Sequence, residues 1–364
     1  MRDPLPLSGA APKQLAVGPR SVWAALGASG AISAVYRDGQ PARGVDPVRL
    51  RRLFERLDAN HDTGAVLSAC VQLATALPLL GEHARDSDAY ATTLAGEGIT
   101  ALAATDAGVG SDLAALDTTF SADGGSIVVT GSKRWITNAT AADWFLVLGR
   151  RREGPHFTNF SWALVPADAH GVTVEPADTT LFSGAAVGHL HFDVVTLPAD
   201  AVLGGAGRGL PLFARHIAVE RLAGGLWAAV ICRRVLTDTQ AWLAARGDLW
   251  QKPTIRDAFA RALVQARQLD ALVDAVAPAV SAHHDTALAA LVKAAAGLAV
   301  DQVVSACAHL QGAQGFTSDG LQRLRAEAAI FGIAGGTTEI VLAGVADHAE
   351  RLLANPRVET ATAL

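Results

Sequence analysis

Two stretches far apart in this sequence hold residues suited to acid–base chemistry and to close backbone approach. Val219-Glu220-Arg221-Leu222-Ala223-Gly224-Gly225 places a carboxylate at the head of an apolar helical run that continues through Leu226 and Val230. A carboxylate shielded from water gains proton affinity and can serve as a general base. The same residue also fits a surface glutamate in a first helical turn, where the helix dipole favours negative charge. Ile333-Ala334-Gly335-Gly336-Thr337-Thr338-Glu339-Ile340 pairs two glycines with hydroxyls and a carboxylate. Such glycines let backbone amides come close to a bound molecule. Two further motifs follow each other in order: Thr105-Asp106-Ala107-Gly108-Val109-Gly110-Ser111-Asp112 and Gly131-Ser132-Lys133-Arg134-Trp135-Ile136-Thr137-Asn138. Their glycines admit a flat ring or an extended arm, the indole of Trp135 offers a stacking face, and the Thr137 hydroxyl can donate to a ring nitrogen.

The elements that must position these residues read as helix, then strand, then helix. Pro4, Pro6, Pro12 and Pro19 make the first twenty residues an extended lead-in. From Ser21 to about Glu82 apolar residues recur at helical spacing, as in Leu50, Leu53, Phe54 and Leu57. From Ile99 to Leu203 short β-branched and aromatic runs predict strands: Ser126 to Thr130 after an Asp123-Gly124-Gly125 turn, then Phe145 to Leu148, Trp162 to Val165 and His189 to Phe192. Leu210 to about Val300 predicts two or three long helices, with turns at Gly247, Pro253 and Ala282-His283-His284-Asp285.

Bulk properties narrow the field. A chain of 364 residues with 50% hydrophobic composition can bury a large core in two or three subdomains. The net charge of −5, with 26 arginines and 4 lysines scattered, gives no basic face for nucleic acid. Cys70, Cys232 and Cys307 lie far apart in apolar surroundings with no metal-like spacing, as expected of reduced, buried thiols in a cytoplasmic protein. No secretory leader is legible, and no uninterrupted apolar run of membrane-spanning length is expected.

The motifs together resemble those of the FAD-dependent acyl-CoA dehydrogenases, over nearly the whole chain. That family's middle domain carries T-E-P-x-x-G-S-D followed by G-x-K-x-[WY]-I-T-N, and its C-terminal signature resembles the stretch from His309 to Ile340. This chain has Asp106 for the glutamate and Ala107 for the proline. The resemblance implies a mainly α fold with a central β domain: an N-terminal helical domain over 1–98, a β-barrel-like middle domain over 99–207 and a C-terminal four-helix bundle over 208–364. It further implies that Trp135 packs on the isoalloxazine, Thr137 hydrogen-bonds near N5, Thr105 and Gly110 lie by the ring, and Ser111 contacts the acyl or pantetheine arm. His309, Gly312, Ala313, Thr337 and Glu339 would hold the adenosine and pyrophosphate half, shared across a dimer interface. Arg246 stands where an R-x-x-F-G arginine meets the neighbouring subunit's pyrophosphate, although Leu249-Trp250 replaces Phe-Gly.

The resemblance also concerns the base. Most members carry a catalytic glutamate where this chain has Gly335. The isovaleryl- and long-chain-specific members supply theirs from a helix that resembles the one around Glu220. This implies that Glu220 removes the α-proton of an acyl thioester while the β-hydride passes to flavin N5, with Arg221 positioning carboxylate or substrate. The Gly335 N–H, which survives loss of the side chain, would join the FAD ribityl 2′-hydroxyl in polarising the thioester oxygen. The short N-terminal region and altered motifs resemble the acyl-carrier dehydrogenases that make hydroxymalonyl or methoxymalonyl extender units for polyketide synthesis. A catabolic short- or branched-chain acyl-CoA dehydrogenase, a flavin oxidase or monooxygenase, and a non-catalytic FAD-binding scaffold for a carrier protein remain open. Expected partners are an acyl carrier protein or CoA thioester, an electron-transfer flavoprotein and further copies of the chain, as dimer or tetramer, with neither nucleic acid nor membrane.

Overall fold

Aspartates and serines in front of apolar runs start the first helices. A computed structural model of the protein describes residues 18–106, 108, 115–154, 156–318 and 320–354. It opens with α1 (Pro19–Ala28), α2 (Ala31–Ala34), α3 (Pro47–Asn60), α4 (Thr63–Val71), α5 (Leu77–His83) and α6 (Asp88–Ala95). Asp46, Asp62 and Ser87 accept amide hydrogen bonds at the starts of α3, α4 and α6. A π-helical turn, Gln72–Ala76, joins α4 to α5. Pro78 lies just beyond it. It has no N–H for the Ala74 carbonyl and its ring crowds that oxygen, so the preceding turn widens.

The middle of the chain forms eight strands. They are β1 (Thr100–Ala103), β2 (Thr119–Asp123), β3 (Ser126–Ile136), β4 (Trp144–Arg150), β5 (Phe160–Pro166), β6 (Val172–Pro176), β7 (Gly188–Pro198) and β8 (Val202–Leu203). The order is β6-β7-β3-β2-β4-β5-β8, with β1 parallel to β4. Asp123 pairs with Ser126 across the expected turn, where Gly124 and Gly125 both have positive φ. The expected barrel does not form. The path ends on β6 and β8, which do not pair with each other, so the sheet is open.

Three long helices follow: α7 (Gly209–Ala244), α8 (Pro253–His283) and α9 (Thr286–Gln311). The turns between them fall where Gly247, Pro253 and His284-Asp285 predicted. Gly247 and His284 have positive φ, and Asp285 caps α9. Gly225 lets α7 approach α9, since a β-carbon there would meet Val292 Cγ1 at 2.3 Å. In place of one fourth long helix, α10 (Leu321–Ala328), α11 (Ile330–Ile333), α12 (Thr338–Asp347) and α13 (Ala349–Ala354) form a broken series. Glycines at 332, 335 and 336 interrupt it, and α10 to α12 pack along α9.

The expected absence of a long apolar run needs correction. Thr63–His83, Thr286–Phe316 and Leu321–Asp347 are long and apolar enough to cross a membrane by length and composition. The most apolar window of the first is 94% buried within the protein, so it serves as core. One continuous hydrophobic core joins Trp23, Leu50, Phe54 and Leu73 of the N-terminal helices to Leu226, Trp227, Val273 and Val303 of the C-terminal ones. The sheet has a separate core around Val129, Phe145, Val165 and Phe192. Cys70, Cys232 and Cys307 are buried and unpaired, as expected.

Candidate active site

Glu220 does not begin its helix. Gly209 and Pro211 start α7 eleven positions earlier, as the apolar Leu210, Leu212 and Ile217 extend it toward the N-terminus. A first-turn dipole therefore has no part in placing this carboxylate. Glu220 is partly buried, and its Oε2 accepts from the Thr75 hydroxyl at 2.9 Å. Thr75 lies in the π-helical turn, a widening of the kind often found at functional sites. Burial raises the Glu220 pKa, opposed by the Thr75 hydrogen bond and by the Arg221 and Lys293 charges.

Arg221 donates from Nε to the Gly335 carbonyl at 2.9 Å, which ties α7 to the loop before α12. A β-carbon at Gly335 would lie 3.7 Å from both Arg221 Cγ and Lys293 Cε, and 3.9 Å from Ile217 Cδ1. Lys293 is only 5% exposed, and its amine donates to the Phe331 carbonyl. Burial brings its pKa down to about 8, with Arg221 adding to the shift and Glu339 and Glu220 opposing it. The loop from Phe331 to Gly336 is thus pinned from two helices by two cations. Gly335 and Gly336 have φ of +72° and +99°, the left-handed region where a side chain is strained.

The two glycine motifs of the middle domain meet in space. The Arg134 amide donates to the Thr105 carbonyl at 3.0 Å, and the buried Lys133 amine pairs with Asp106. Asp106 also accepts from the Asp117 and Thr118 amides at 2.6 and 2.8 Å and from the Thr118 hydroxyl at 2.9 Å. Burial lowers the Lys133 pKa to about 8 against the pull of Asp106. The Asp in this motif therefore anchors a buried ion pair.

β3 slips register against β7 between Lys133 and Ile136, and Trp135 there has a φ of +57°. A bulge of this kind re-aims a side chain, and the indole is 62% exposed. Its amide donates to His189 Nδ1 at 3.1 Å, and the two rings meet edge to face. Thr137 is half-buried two residues on, and its hydroxyl has no partner among the described residues. Asn138 closes the motif by exchanging hydrogen bonds with Ser68 of α4.

Other expected residues fall elsewhere. Gly110 and Ser111 lie outside the described residues. Arg246 stacks its guanidinium on the Trp242 ring of its own chain, 3.5 Å from the centroid. His309, Gly312 and Ala313 are exposed at the C-terminal end of α9. Thr337 and Glu339 lie at the start of α12, and the adjoining Thr338 hydroxyl sits beside Gly297 in mid-α9. From Gly297 to His309 the helix rises ~18 Å, so one chain does not bring these two sets together.

Sequence reasoning missed Thr75, His189 and Lys293. Lys293 left a signal, as a lone charge in the apolar run Leu291-Val292-Lys293-Ala294 of a chain with few lysines. Thr75, inside Leu73-Ala74-Thr75-Ala76-Leu77, left none.

Comparison with known proteins adds a family context. Residues 101–195 match the model of the acyl-CoA dehydrogenase middle domain, and residues 207–350 that of the acyl-CoA dehydrogenase C-terminal domain. The acyl-CoA dehydrogenase IpdE1 of Mycobacterium tuberculosis is 31% identical over 163 residues, covering 44% of this chain and 42% of its own. This chain spans about half the length of the curated relatives it matches. A Mycobacterium abscessus structure described as a probable acyl-CoA dehydrogenase superposes with a TM-score of 0.83 at 26% identity, over 93% of this chain and 92% of that one. A glutaryl-CoA dehydrogenase of Mycobacterium smegmatis, solved with FADH2, shares the fold with a TM-score of 0.82 at 20% identity, over 94% and 88%.

Proposed function

Since this chain belongs to the acyl-CoA dehydrogenase family, we propose that it oxidises an acyl thioester with FAD, using Glu220 as the base. The observation that carries this reading is the partly buried Glu220 of α7, which Thr75 holds from the π-helical turn while Arg221 on the same helix grips Gly335. The residues present fit the cofactor. Trp135 exposes a flat face from a strained backbone, the half-buried Thr137 follows two residues later, and Gly335-Gly336 leads into the amide-rich start of α12. When bound, FAD supplies the two-electron acceptor for a hydride from the β-carbon.

The remaining work falls to the protein. Thr75 occupies Glu220 Oε2, which leaves Oε1 for the α-proton. Burial makes the carboxylate a stronger base than in water. Arg221 and Lys293 hold the Phe331 to Gly336 loop so that the Gly335 N–H can polarise the thioester oxygen. Loss of the family's usual carboxylate at Gly335 fits this division, because Arg221 and Lys293 lie within ordinary contact of that position and would lower the proton affinity of a carboxylate there.

The substrate in this reading is a short acyl unit on an acyl carrier protein, of the hydroxymalonyl or methoxymalonyl type. The altered flavin motifs support it. The functional unit is a homo-oligomer, since the two parts of the adenosine set are separated along α9 in one chain. The exposed Ile333, Ile340 and Leu342 give a second copy an apolar surface to cover. An electron-transfer flavoprotein is the proposed final acceptor.

Anaerobic titration of the yellow holoprotein tests the proposal. Acyl-carrier thioester should bleach the flavin band, and free acid should not. Bleaching by acyl-CoA alone would move the enzyme to a catabolic role. A protein that takes up no FAD would refute the reading.

A further inference from the structure

A second polar cluster lies on the same helix, apart from the residues assigned to catalysis. His216, one turn before Glu220 on α7, is 2% exposed, and neither ring nitrogen has a hydrogen-bond partner among the described residues. Facing it are Glu82 and His83 at the end of α5, and His83 Nε2 is likewise unpartnered. Glu82 Oε2 lies 3.9 Å from His216 Nε2 and 3.7 Å from His83 Nε2, and the three ligand atoms all fall within 4.8 Å of one another. These separations are too long for hydrogen bonds.

They suit a shared ion. Two ligands ~2.0–2.1 Å from a tetrahedral zinc sit about 3.4 Å apart, so closure draws each imidazole toward Glu82 by about half an ångström or less and the two imidazoles toward each other by up to ~1.4 Å. The other carboxylate oxygen, Oε1, is held by Arg215 at 3.1 Å, and Arg215 donates to His284 Nε2 at 3.1 Å. Outer partners of this kind fix a ligating carboxylate in place and leave its second oxygen directed at the gap.

We propose that Glu82, His83 and His216 form a binding site for one divalent first-row transition ion of the zinc class, clamping α5 to α7. Two imidazoles and one carboxylate, with the remaining position open, form a donor set that favours such ions over calcium or magnesium. Its occupancy does not depend on the acyl-thioester reading, because none of the three residues is assigned to that chemistry.

Equilibrium dialysis of chelator-stripped full-length protein against Zn2+ tests it, with Co2+ absorption as a coordination probe. The wild type should bind one Zn2+ per chain saturably, and its Co2+ form should show visible d–d bands. Removing outer partners alone typically costs 10–100-fold in metal affinity, so His83→Gln and His216→Asn should each lose about 100-fold or more. His83 lies at a helix end and is less buried than His216, so its variant stays informative if the other misfolds. Equal Zn2+ affinity in wild type and His83→Gln would mean an adventitious ion only and overturn the proposal, as would the absence of saturable binding.

Discussion

Glu220 and its contacts set the first expectations. Glu220→Gln preserves shape and removes basicity, so flavin reduction by substrate should fall ~10²–10⁴-fold with FAD still bound. Stopped-flow absorbance reads this directly, and a wild-type rate would remove Glu220 from the mechanism. The base must be ionised to act, so the rate should rise with pH through an apparent pKa above the ordinary glutamate value of ~4.3, as burial requires. Thr75 stabilises the ionised form by donating to it. Thr75→Val should therefore move that limb to higher pH, and a limb that stays fixed would dissociate Thr75 from the base. Gly335→Glu, by contrast, should not simply restore the usual arrangement. Its φ of +72° costs a side chain ~1–2 kcal/mol, and Arg221 and Lys293 would pair with the new carboxylate. Thermal unfolding should show a lower midpoint for this variant. The candidate base and the vacant glycine were legible as residues in the sequence. The hydroxyl that tunes the base was not, because a widened helical turn brings it in from another part of the chain.

Elements explain which motifs could be read and which could not. The strands and long helices follow from periodicity and punctuation: Gly124-Gly125, Gly247 and Asp285 each fall in the turn or cap their chemistry favours. The barrel expectation failed because closure depends on how far the edge strands β6 and β8 diverge, which no local pattern encodes. The Thr105 and Trp135 motifs were recognisable separately, but the Lys133–Asp106 pair that locks them was not. Lys133→Met should strand Asp106 as a buried charge and cost ~3–5 kcal/mol. Asp106→Asn with Lys133→Met should recover much of it. Urea unfolding of the single and double variants decides the matter, and equal losses in both would show that the charge is not the cause.

At the scale of the whole molecule, FAD retention should depend on assembly. In the proposed oligomer the adenosine half is completed by a second chain, so dilution should release FAD in step with dissociation. Sedimentation monitored at the flavin band would show whether the two are linked, and a monomer that keeps its FAD would break the link. The shared hydrophobic core has a consequence during synthesis. Its N-terminal helices end at Ala95 and their partner α7 begins at Gly209, with the whole sheet translated in between. At ~5–20 residues per second, the ribosome leaves Leu50, Phe54 and Leu73 without their final neighbours for roughly ten seconds. A nascent chain of this architecture therefore presents an uncovered apolar surface that a holding chaperone can occupy, and slowing translation through the sheet would lengthen that exposure.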